Sequence, residues 1–116
     1  MNPQNLQRGV HLTFYCHSRA RHDGVLLSEW LLEQARQRGI GGGSVFRAIA
    51  GYGHHGTMHE ERFFELAGDV PVVVEFVAQE ADADALVARL AAAHIDVFCV
   101  RLPASFTMLA PAGDRP

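Results

Sequence analysis

The sequence predicts an α+β domain, a four-stranded antiparallel sheet with two helices on one face, in the order strand, helix, strand, strand, helix, strand. Three observations carry this. Apolar alternation of period two marks Val10 to Cys16 and Asp69 to Gln79; helical spacing marks Val25 to Arg38 and Ala81 to His94; glycine clusters bracket Ser44 to Ala50, which reads as a further strand. With Ile95 to Leu102 as the last strand, the pattern is the ferredoxin-like βαββαβ.

In the first strand Val10, Leu12, Phe14 and Cys16 share one face, and His11, Thr13 and Tyr15 the other. That second face is polar but uncharged, which suits cover by another subunit. His17 to Gly24 reads as a charged loop in which His22 and Asp23 adjoin. The first helix is expected to start near Asp23 or Gly24 and to bury Leu27, Leu31 and Ala35, flanked by Leu26, Trp30 and Gln34. Gly39 ends it.

Beyond Ser44 to Ala50, the closely spaced Gly51, Gly53 and Gly56 let the backbone turn sharply and leave its N–H groups accessible to an anion. Met58 to Gly68 is a mixed, charged segment. The next strand sets Val72, Val74 and Phe76 against Val73, Glu75 and Val77, with Pro71 at its entrance. The second helix is expected to bury Ala83, Leu86, Val87, Leu90 and Ala91, with Glu80, Asp82 and Asp84 at its positive N-terminus. Pro103 is expected to stop the last strand. Residues 1–9 then form a flexible N-terminus, 10–102 the domain and 103–116 a tail. Two helices cover one sheet face only, so the apolar open face is expected to be used in assembly.

The 116 residues suit one domain. A net charge of −3 and the lack of a basic run argue against a nucleic-acid surface. All ten cationic side chains are Arg. This excludes Schiff-base and P-loop lysines and leaves any phosphate to Arg or backbone N–H groups. The N-terminus lacks the apolar core of a secretory signal, and no stretch nears the ~20 apolar residues that cross a bilayer, so a cytoplasmic location without membrane insertion is expected. Cys16 and Cys99, both in apolar runs, are expected to be buried reduced thiols.

His54, His55 and His59 are a local histidine cluster with Glu60 and Glu61 beside it. Imidazoles bind zinc, copper or nickel, so a divalent-metal protein is an alternative reading, although adjacent histidines on an extended backbone point apart and the spacing matches no zinc pattern. His11, Tyr15 and Glu75 can share one sheet, but nothing in the sequence makes them converge. No catalytic residue is assigned, and the chain is not expected to be an enzyme.

The run GIGGGSVFRAIAGYG from Gly39, then His59, then LAGDVPVVVEFV from Leu66, resembles the PII-like family known as domain of unknown function 190, over Val10 to about Leu102. That family is similar to the PII signalling proteins and to the metal-binding CutA proteins. The resemblance implies a homotrimer of ferredoxin-like subunits, and His54 to Gly68 as the mobile T-loop that contacts a target protein, such as a membrane transporter. It also implies an intersubunit cleft at the loop base for a small effector, a nucleotide or another anion, with Arg47, Gly51, Tyr52, Gly53 and His59 as ligand-binding residues and Glu75 across the neighbouring strand. A purely structural interaction module is the plain alternative. Between the second helix and the last strand the chain has only Ala-His-Ile-Asp, where nucleotide-binding PII proteins carry a Gly- and Lys-rich phosphate loop. This argues against ATP held in their manner. The expected T-loop also lacks a tyrosine for covalent modification.

Overall fold

The computed structural model describes residues 5–51 and 70–109. In chain order they form β1 (Gln7–His17), β2 (Arg21–His22), β3 (Val25–Leu26), α1 (Leu27–Gln37), β4 (Gly43–Arg47), β5 (Pro71–Ala78), α2 (Glu80–Ala92) and β6 (Phe98–Phe106). The main sheet has the order β4-β5-β1-β6, antiparallel at every pairing. This is the expected ferredoxin-like arrangement, with β1 and β5 as the two central strands.

The alternation of β1 and β5 decides which face is covered. Val10, Leu12 and Phe14 join Val74, Phe76 and Ala78 under Leu31 and Ala35 of α1 and Leu86 and Leu90 of α2, all buried. Phe14 and Phe76 meet edge-on, with ring centroids 6.0 Å apart. On the opposite, open face the register aligns His11 with Leu102 and Val77, Thr13 with Val100 and Glu75, and Tyr15 with Phe98 and Val73.

Both helices end in the same way. At the end of α1, Gly39 has φ +82° and donates to the Arg36 carbonyl at 3.2 Å, while Ile40 donates to Ala35 at 3.1 Å. At the end of α2, His94 takes the corresponding role with φ +57°, donating to Ala91, and Ile95 donates to Leu90, each at 3.0 Å. These are Schellman caps, in which a left-handed residue lets two N–H groups close the last carbonyls.

Several expectations need correction. Asp23 and Gly24 do not start α1. Their φ values of 51° and 82° make the tight turn of a small hairpin that pairs Arg21 with Leu26 and His22 with Val25. Asp-Gly favours that turn because both central residues must be left-handed. The loop expected over His17 to Gly24 thus contains a strand, and Leu26 stands at the N-cap of α1. Gln7 to Gly9 belong to β1 and Pro103 lies inside β6, with Gln7 opposite Phe106 and Val10 opposite Pro103. A proline is tolerated there because β6 is an edge strand, where its missing N–H costs the sheet no second neighbour. Val87 and Ala91 of α2 are exposed rather than buried, since this short helix presents only the Ala83, Leu86 and Leu90 stripe to the core. Cys99 is exposed and Cys16 half-buried, neither in a disulfide.

Candidate functional site at the loop base

The β4–β5 ladder ends at Arg47 opposite Val72. From there the Ala48 N–H donates to the Pro71 carbonyl at 2.9 Å, while Ser18 bonds Val70 twice, N–H to carbonyl at 2.8 Å and Oγ accepting the Val70 N–H at 3.1 Å. Both ends of the connection between β4 and β5 are therefore fixed to the sheet. Gly51 packs on Pro71 so closely that a Cβ would stand 3.3 Å from the proline Cγ. Arg47 is exposed, and among the described residues its side chain makes no ion pair or hydrogen bond. Ile49 beside it is 92% exposed.

Register separates Arg47 from Glu75. Arg47 shares the helix-side face with Val45 and Val72, whereas Glu75 stands opposite Ser44 and Thr13 on the open face. There Glu75 Oε1 lies 3.5 Å from His11 Nε2. Tyr15, farther along the same face, packs on Phe98 with ring centroids 5.7 Å apart. Within one chain the structure thus groups Glu75 with His11 on the open face, sets Arg47 on the helix-side face at the loop base, and places Gly51 against Pro71. Tyr52, Gly53, His54, His55 and His59 lie outside the described residues, as does the expected T-loop. Among the described residues no group of three or more His, Cys, Asp or Glu could hold a metal ion.

A cleft of about 170 Å³ opens between the end of β1 and the start of β6, with Tyr15, His17 and Asp96 as polar lining and Leu27, Val97 and Phe98 as apolar wall. It lies at the Arg47 end of the sheet, since His17 pairs with Pro71 and Tyr15 with Phe98. No sequence motif marks it, because its walls come from three segments distant in the chain. The connection Ala-His-Ile-Asp behind it serves as the α2 cap described above.

Comparison with known proteins places the chain. A family profile described as DUF190, "Uncharacterized ACR", matches residues 9–101. The chain belongs to this family. This DUF190 protein is 43% identical over 58 residues to a UPF0166 protein of Aquifex aeolicus, a match covering 50% of this chain and 55% of that one. It is 28% identical over 79 residues to a UPF0166 protein of Methanocaldococcus jannaschii, covering 68% and 72%. The match thus spans about half the length of the first relative and under three quarters of the second.

Solved structures show the same PII-like fold. One, assigned as a PII-like signaling protein from Thermus thermophilus, superposes with TM-score 0.61 at 18% identity, over 89% of this chain and 93% of that one. Another, CPII from Thiomonas intermedia bound to ADP and bicarbonate, gives 0.63 at 13% identity, over 89% and 92%. Among the described residues no helix of this DUF190 protein is long and apolar enough to cross a membrane.

Proposed function

We propose that this DUF190 protein is a PII-like sensor. Its subunits assemble as a homotrimer, bind a small anionic effector in intersubunit clefts at the base of the β4–β5 connection, and signal to a target protein, such as a membrane transporter. The observation that carries the reading is Arg47: a guanidinium left without a protein counter-charge among the described residues, on a backbone fixed by Ala48, Pro71, Val70 and Ser18. A guanidinium free of a protein counter-charge takes a carboxylate, bicarbonate or phosphate oxygen pair through two parallel N–H donors. Support also comes from CPII, of the same fold, whose structure holds ADP and bicarbonate. Tyr52, Gly53 and His59 remain proposed ligand contacts, and Glu75 is proposed to reach a cleft only through assembly, because it faces away from Arg47 within the chain.

Calorimetric titration of the full chain with ADP and with bicarbonate tests the reading. We expect saturable binding of at least one, weakened about tenfold or more in Arg47→Ala, as loss of a charge-assisted contact demands. Binding of neither, or binding indifferent to Arg47→Ala in a folded variant, would overturn it.

A further inference from the structure

We propose that Arg38 and Arg89, at the seam between α1 and α2, form a second anion site, for a phosphate group, independent of the loop base. Gln34 is a polar residue in the buried stripe of α1, only 8% exposed. Its amide oxygen accepts from Arg38 Nη1 at 3.0 Å and from Arg89 Nε at 3.1 Å, and Arg38 Nη1 also donates to the Gln34 carbonyl at 3.0 Å. Two guanidinium groups are thus drawn onto one neutral oxygen.

Like charges so close ordinarily recruit a carboxylate. Elsewhere in this chain even single arginines find one: Arg36 pairs with Glu33, and Arg101 with Asp84 at 2.8 Å. Arg38 and Arg89 have no such partner among the described residues; Asp82, two turns before Arg89 on α2, pairs with neither. Their position near helix C-termini accounts for cations there. It does not account for their convergence on a third residue's amide, which orients both forks without neutralising either.

Arg89 is held further by Trp30, whose ring centroid lies 5.3 Å from its Cζ, and Trp30 is braced by the His22 ring at 4.6 Å. Each guanidinium carries five N–H donors, and Gln34 engages one nitrogen of each, so both retain donors for a ligand. A phosphate suits two forks better than a carboxylate does, because it offers three terminal oxygens rather than two. The site is remote from Arg47. The chain runs from Arg38 into Gly43 at one end of β4, and Arg47 stands at the other end, roughly 13 Å along the strand from Gly43 at about 3.3 Å per residue.

Trp30 is the chain's single tryptophan, so its fluorescence reports on this seam. The full chain is titrated with inorganic phosphate at constant ionic strength, with chloride and acetate as parallel arms. We expect a saturable response to phosphate, weaker or absent for acetate and absent for chloride. Its midpoint should rise about tenfold or more in Arg38→Gln and in Arg89→Gln, rise less in Arg89→Lys, and stay unchanged in Arg47→Ala. Arg38→Gln does not touch Trp30, so it carries the test should Arg89→Gln fail to fold. Equal responses to all three anions, a response that persists in both glutamine variants, or one lost in Arg47→Ala would overturn the proposal.

Discussion

His94 is a bulky residue in a backbone conformation that glycine adopts at little cost, and at the end of α1 the same cap is in fact made by Gly39. A left-handed residue with a Cβ costs roughly 1–2 kcal/mol, partly offset by the extra freedom glycine gains in the unfolded chain. His94→Gly should therefore raise the stability of the domain by up to about 1 kcal/mol, read as a higher denaturation midpoint with unchanged m-value. Cys99 shows the limit of reading burial from local sequence. It sits in an apolar run, yet the edge position of β6 leaves it exposed. Partial desolvation still pushes its thiol above the ordinary value, against the pull of Arg101. Alkylation of Cys99 should accordingly show a pH–rate midpoint above that of an unstructured peptide thiol, and a midpoint at or below the peptide's would contradict this.

The elements themselves were largely legible, because alternation and helical spacing report directly on which side chains meet the core. Val72, Val74 and Phe76, and Leu27, Leu31 and Ala35, are all buried where the periods put them. What escaped depended on neighbours distant in the chain. Pro103 reads as a stop unless β6 is known to be an edge; Val87 and Ala91 read as core unless the width of the helix contact is known. Asp23-Gly24 was a legible hairpin signal masked by a competing helix start. The loop base was legible as glycines and an arginine, but the separation of Arg47 from Glu75 follows from register, which the sequence does not state. Gln34 in an apolar stripe was a clue to a polar seam, since a buried amide needs partners. Leu86, fully buried beneath α2, should be the sensitive point of that helix: Leu86→Ala should cost about 2–5 kcal/mol, measured by denaturant unfolding.

Among the described residues nothing of the chain covers the open sheet face or the two edge strands, β4 and β6. Phe98 is 52% and Leu102 53% exposed, beside Tyr15 and Val77 on that face. An exposed apolar sheet face beside unpaired edges is a hazard in a monomer and a resource in an assembly. Sedimentation at micromolar concentration should report trimers, and Phe98→Asp with Leu102→Asp should shift them to monomers with the helical circular dichroism retained; a wild-type monomer would remove the basis for intersubunit clefts. The clamps on either side of the β4–β5 connection also have an evolutionary meaning. Because Ser18, Ala48, Val70 and Pro71 hold the two stems at a set span, the stems are expected to keep that span when whatever joins them is exchanged or lengthened. Doubling that segment with glycine-serine residues should cost only ~0.6 kcal/mol of closure entropy. The subunit is in this sense a socket, able to accept new recognition segments by graft while its foundation is left unaltered.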